Sequence, residues 1–272
     1  MGLVGFGICK RSNLQLAETQ SSGRSESMRK SHSKELDQTV EETKEYYRQR
    51  ASQYSDWAHR TGQYEDGVEP EASWFDEAMI LIEALASSGL SGDVLEIASG
   101  TGIWTEELLR NAASVTALDS SPEMHERSKS RLRRNPKVRY IVADIYNWVP
   151  DMSYDAVTFS FWLSHVPGSK LNDFVSKVSR CLKLGGRVFF ADQRTEGLTR
   201  EVMDHQSGEI ARRSLINGRE FKIIKHFYSS EEITRCFLQE GIDINISNTA
   251  TLFYYASGVK NRAQKARSRN PL

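Results

Sequence analysis

Residues 94–105 read VLEIASGTGIWT. Val94, Leu95 and Ile97 form a short apolar run around one acid, Glu96. The run breaks at Ala98-Ser99-Gly100-Thr101-Gly102 before the chain resumes with Ile103 and Trp104. A strand, a tight turn and a helix start follow one another within twelve residues. Gly100 and Gly102 tolerate positive φ and let a ligand approach the backbone, while the helix start offers unpaired N–H groups. In an open parallel sheet such a turn lies at the carboxyl end of its strand, where ligands bind.

The residues around the turn narrow the ligand. A dinucleotide site needs a third glycine three residues after Gly102, and Thr105 stands there. Glu96, inside the strand, would repel a pyrophosphate and suits a cationic ligand. The next strand, VTALDSS, ends on Asp119 and Ser120, placing a carboxylate at the same crevice with the geometry to accept from both hydroxyls of a ribose. A helix cap is the competing role for Asp119, but Ser121-Pro122 supplies that cap itself. A third strand, in YIVADIYNW, ends on Asp144 and Ile145, one polar and one apolar contact for a heterocycle. A plain turn is the competing role for Asp144.

Working outward, short strands alternate with longer helical stretches. Strands are expected at Asp93–Ala98, Ser114–Asp119, Arg139–Ala143, Tyr154–Ser160 and Arg187–Ala191, with helices near Trp104–Arg110, Pro122–Arg134 and Leu171–Leu182. Two more helices, Val40–Trp57 and Ala72–Ser88, precede them. A helix at Ser229–Glu240 and β segments at Ile242–Ser247 and Thr251–Ala256 follow. This rhythm implies right-handed crossovers and an α/β, Rossmann-like, doubly wound fold: a mainly parallel seven-stranded sheet with a terminal antiparallel pair.

The order of these features resembles the class I S-adenosylmethionine (SAM) dependent methyltransferases over roughly Asp93–Ala191. The family's acid-x-Gly-x-Gly-x-Gly pattern stands here as Glu96-Ile97-Ala98-Ser99-Gly100-Thr101-Gly102, so Ala98 replaces its first glycine. The stretch LKLGGRVFFAD is similar to the family's turn before its fifth strand, with Gly185 and Gly186 as structural glycines. The resemblance implies SAM as cofactor and a ribose carboxylate at Asp119. It further implies adenine contacts from Asp144 and Ile145, and lining of the cofactor and acceptor by FWLSHVP, which carries Phe161, Trp162, Ser164 and His165.

His165 is a candidate general base for an acceptor hydroxyl, because an imidazole titrates near neutrality; packing beside the cofactor is the alternative. The segment YYRQRASQYSDW is similar to a helix that folds over the donor in small-molecule members of the family. Tyr46, Tyr47, Arg50 and Tyr54 share spacings of one face, so Tyr47 and Tyr54 are expected at the cofactor, although an aromatic stripe also suits a core. Thr195–Phe227 is the expected acceptor-specific insertion. Its Arg200, His205, Arg212, Arg213, Lys222, Lys225 and His226 read as a solvated helix face, with a carboxylate-bearing acceptor as the other reading.

Composition sets outer bounds. The 272 residues suffice for one α/β domain, and 36 basic against 36 acidic side chains leave no global field for nucleic acid. Cys9, Cys181 and Cys236 form neither a metal nor a disulfide pattern, which fits a reducing, cytoplasmic setting with no metal. No apolar run approaches the ~20 residues of a membrane span. Residues 1–37 read as a disordered leader, 38–258 as the domain with its helical lid, and 259–272 as a basic tail. The function expected is methyl transfer from SAM to O, N or C of a small organic acceptor. A nicotinamide-dependent oxidoreductase and a non-catalytic SAM-binding regulator are the competing readings.

Overall fold

The computed structural model describes residues 33–54, 71–195, 202–203 and 208–261. Cys9, Trp57, Arg200 and His205 lie outside the described residues, as do most of the expected leader and tail. The first helix, α1, covers residues 33–50 and so begins within the stretch assigned to the leader; a short 3-10 turn, Ala51–Gln53, extends it.

After α2 (Glu71–Ser87) the chain alternates β1 (Gly92–Ile97), α3 (Ile103–Leu108), β2 (Ala112–Asp119), α4 (Pro122–Arg131), β3 (Val138–Val142) and β4 (Tyr154–Ser160). Then come α5 (Leu171–Cys181), β5 (Leu182–Gln193), the short strands β6 (Val202–Met203), β7 (Ile210–Ser214) and β8 (Glu220–Ile224), α6 (Ser230–Gln239), β9 (Ile242–Asn248) and β10 (Phe253–Lys260). The main sheet has the order β3-β2-β1-β4-β5-β10-β9. Its first five strands are parallel, and β10 enters antiparallel between β5 and β9. The expected mainly parallel, seven-stranded sheet with a terminal antiparallel pair is the one observed.

Both sheet faces are covered, which explains the continuous apolar runs of the central strands. On one face Phe174, Val175 and Val178 of α5 and Ile233 and Phe237 of α6 pack on Val157 and Phe159; the Phe159 and Phe190 rings stack at 4.9 Å. On the other, Trp74, Leu81 and Leu85 of α2 meet Val94, Ala156 and Phe189. Each large side chain so buried contributes about 1.5–3 kcal/mol. The strand order reverses between β1 and β4, so the carboxyl ends of those strands open a crevice.

The described residues of the insertion form a small antiparallel sheet, not the solvated helix face expected. β6, β7 and β8 form a second antiparallel sheet, and α1 lies across it. Leu36 and Val40 pack on Ile210 and Ile224, and Tyr46 packs on Ala211, Phe221 and Ile223. Two strand amides are tied to the helix: Ile224 N donates to Thr43 Oγ1 (2.9 Å) and Lys222 N to Glu42 Oε1 (2.8 Å). The signal for the hairpin is Asn217-Gly218, a preferred reversal between two alternating runs, with Gly218 at φ +82°.

Candidate active site

The turn after β1 is held in a left-handed conformation. Ala98, Gly100 and Gly102 have φ of 54°, 53° and 80°. At Ala98 this costs on the order of 1 kcal/mol, because its Cβ crowds the carbonyl that glycine would clear. Gly100 N donates to Asp119 Oδ2 (2.8 Å) and Ser121 N to Asp119 Oδ1 (2.9 Å), so the carboxylate joins the two strand ends. Burial raises its pKa, against the pull of these amides. Helix α4 is capped by Ser121 Oγ, which accepts from Met124 N, with Pro122 first in the helix.

Above this turn a cavity of about 800 Å³, counting its open mouth, lies between the strand ends and α1. Of the residues expected at the cofactor, Ala98, Gly100, Asp119 and Ser120 line its floor, Asp144 and Ile145 one end, and Tyr47, Tyr54 and Phe161 the roof and far wall. Glu96 and Gly102 do not line it. Alternation along β1 sends Glu96 behind the turn, where Thr105 Oγ1 donates to its Oε2 at 2.5 Å. Burial there, helped by the nearby Asp119, pushes the Glu96 carboxyl up to about 8 against the hydrogen bond from Thr105. Gly102 is required by packing: a Cβ there would stand 2.3 Å from Ser128 Oγ.

Trp162 lines the cavity as expected, and Thr43, Lys44 and Tyr146 line it without having been foreseen. Lys44 Nζ sits 2.8 Å from Asp144 Oδ2, joining α1 to the end of β3. Burial opposes the Lys44 charge, but Asp144 and Glu41 together hold its pKa above the ordinary value. Asp144 serves as a turn residue as well, accepting from Tyr146 N (2.9 Å) and Asn147 Nδ2 (3.2 Å). No local pattern marks Lys44, since its partner lies 100 residues away.

At the other end stands His165, buried, in a 3-10 turn (Leu163–His165) just past β4. Its Nδ1 lies 2.6 Å from the carbonyl oxygen of Ile224, which only accepts, so Nδ1 carries the proton and Nε2 is the bare nitrogen. The Tyr47 hydroxyl is 2.8 Å from Nε2 and therefore donates to it. Arg213 Nη1, from β7, donates in turn to the Tyr47 oxygen at 3.2 Å. Burial first, then the charges of Lys225 and Arg213, hold the His165 pKa well below 6.5, against the Ile224 carbonyl; Arg50 adds to the effect.

The turn bearing His165 is braced by Asp192, fully buried, whose carboxylate accepts from Ser164 N (2.8 Å) and Ser164 Oγ (2.9 Å). Lys225 completes the group, donating to Ser164 Oγ and to Gln193 Oε1. Sequence reasoning placed Lys225 among solvated residues and overlooked Asp192. Their pairing exists only because β5 ends beside the exit of β8.

Comparison with known proteins supplies what geometry alone does not. A methyltransferase-domain family model matches residues 94–186. The demethylmenaquinone methyltransferase of Tropheryma whipplei (strain Twist) is 33% identical over 96 residues, covering 35% of this chain; the chain spans only 39% of that relative. The structure of the DhpI–SAH complex is 34% identical, with a TM-score of 0.66, and the match covers 82% of this chain and 98% of that one. The chain belongs to the class I SAM-dependent methyltransferases.

A second solved complex, DhpI–SAM–HEP, matches at 33% identity and a TM-score of 0.65. A SAM-dependent methyltransferase from Clostridium acetobutylicum, at 18% identity and a TM-score of 0.54, shares the fold. Nothing in these relatives supports the nicotinamide reading. The cavity of this methyltransferase fits the family's cofactor: a backbone left-handed at Ala98 and Gly100, a carboxylate at the end of β2 and an apolar shelf of Leu118, Ile145 and Met124. An adenosyl group with a cationic methionine tail asks for those elements.

Proposed function

We propose that this methyltransferase transfers the SAM methyl group to a hydroxyl of a small organic acceptor, with His165 as general base. The observation that carries the reading is the fixed His165 tautomer, which turns a bare Nε2 toward the cavity wall. SAM supplies an electrophilic methyl on a sulfonium. Asp119 and Ser120 would hold its ribose side, Asp144 and Ile145 its adenine, and Ala98, Gly100 and Tyr54 its methionine part. Alignment of the acceptor can account for several kcal/mol of barrier, and a base for a further 10²–10⁴ in rate.

A small acceptor is consistent with a cavity whose far end is closed by Tyr47, Phe161 and Trp162. Among the described residues no helix is long and apolar enough to cross a membrane. The cytoplasmic reading rests on the cysteines, of which Cys181 and Cys236 are buried free thiols.

Incubation with labelled SAM and a metabolite extract, read by mass spectrometry, is expected to return a product heavier by one methyl. His165→Ala should lower turnover at saturating SAM by at least 100-fold. A loss under tenfold removes the base role, and no product from any extract removes the methyl-transfer reading.

A further inference from the structure

The Nε2 that the base role requires is already occupied. His165 has one bare ring nitrogen, and the hydroxyl hydrogen of Tyr47 points at it across 2.8 Å. An acceptor reaches Nε2 directly only by displacing that phenol. Tyr47 is held in place from two sides: Arg213 Nη1 donates to its oxygen, and its ring makes edge contacts with Tyr46 at 5.1 Å and His165 at 5.1 Å. The guanidinium of Arg50 lies 6.0 Å from the ring centroid. Tyr47 also lines the cavity beside Phe161 and Trp162, and its oxygen, which donates to His165 and accepts from Arg213, has a second lone pair with which to accept from a molecule in the cavity.

We propose that Tyr47 is a catalytic residue that meets the acceptor hydroxyl and relays its proton to His165, with Arg213 as the positioning residue behind it; this rests on the methyl-transfer reading above. As the acceptor oxygen forms its bond to the methyl carbon, the C–S bond breaks and its electron pair returns to sulfur. The acceptor proton passes to the Tyr47 oxygen while the Tyr47 proton passes to His165 Nε2. The positive charge lost at the sulfonium is gained by the imidazole, and Tyr47 ends as it began, a neutral phenol.

The surroundings fit a relay that never stores charge on Tyr47. Burial raises the Tyr47 pKa, and Arg213 and Arg50 lower it only in part, so a free phenolate is disfavoured and concerted passage favoured. Charges reach the pair from every element packed on it: Arg50 from α1, Arg213 from β7, Lys225 from the exit of β8, with Asp192 at the end of β5 4.0 Å from Lys225. Arg213 donates to the Tyr47 oxygen, which leaves the Tyr47 hydrogen directed at His165.

The test uses the full chain, labelled SAM with the same metabolite extract, and S-adenosylhomocysteine as a binding probe. Tyr47→Phe is expected to slow product formation at saturating SAM by 100-fold or more while S-adenosylhomocysteine affinity falls far less. In the ¹⁵N spectrum of histidine-labelled, S-adenosylhomocysteine-loaded protein, the same variant should move the His165 Nε2 resonance toward that of an unprotonated nitrogen that accepts no hydrogen bond. Arg213→Met should raise the acid limb of the pH–rate profile toward 6.5, and Arg213→Lys should restore part of the loss, which a merely structural role would not do. A rate loss under tenfold for Tyr47→Phe, an equal loss of S-adenosylhomocysteine affinity, or an unmoved Nε2 resonance overturns the relay. Absence of product with the wild-type chain instead overturns the underlying reading, and the relay with it.

Discussion

Ala98 and Phe161 end the neighbouring strands β1 and β4, and both have positive φ, 54° and 56°. A bulky residue there is a strained outlier, of order 1 kcal/mol or more, and such strain collects where the surroundings enforce it. Phe161 is enforced by its amide, which donates to Ala191 O at 2.7 Å, and by ring contacts with Phe253 and Trp104. Both residues face the cavity, so the strain shapes the site. His165 yields the prediction at this scale. The proton-accepting form is the neutral ring, and a pKa held well below 6.5 by burial and by Lys225 and Arg213 keeps it neutral into mild acid. kcat/KM for the acceptor should therefore stay flat through neutrality and fall only below pH 6.5. Initial rates across a pH series check this; an acid limb at or above 6.5 would show that the ring is not shielded.

Helix α1 stays in place through pairings with partners distant in sequence, which is why its role was only half legible. Its aromatic stripe was visible, but the same spacing serves a core, and the structure divides it: Tyr46 is buried against Phe221, while Tyr47 and Tyr54 face the cavity. Lys44 is the tie nearest the adenine end, and the pair with Asp144 is less than a quarter exposed on either side. Such a pair is worth about 1 kcal/mol, a factor of about five in an opening equilibrium. Lys44→Ala should accordingly raise amide hydrogen exchange over residues 36–50 by about fivefold and speed release of S-adenosylhomocysteine. Exchange unchanged in α1 would mean that the apolar contacts with the hairpin hold the helix alone.

At the scale of the whole molecule, Glu96 couples stability to pH. Its folded-state pKa, about 8, lies above the ordinary 4.5, so the folded chain keeps a proton that the unfolded chain releases. Stability from this group is full below about 4.5 and is lost as pH rises toward 8. Glu96→Gln cannot ionise, so its advantage over wild type should grow across that window, to the order of 1–3 kcal/mol. Thermal unfolding of both proteins at several pH values without cofactor measures it; parallel curves would mean that Glu96 is not desolvated as the structure has it. Taken alone, the sequence determined the doubly wound sheet, the turn after β1, and the carboxylates that end β2 and β3. These follow from alternation, from glycine's freedom and from the position of strand ends, all readable over a few residues. Only the tertiary structure decided which side of β1 Glu96 takes and why Gly102 must be glycine. It alone joined Tyr47, His165, Arg213 and Lys225, which approach from four separate segments. A hydrogen bond between residues 118 apart leaves no periodicity in the chain; it arises because burying the hairpin's apolar face on α1 carries their polar groups to one end of the cavity.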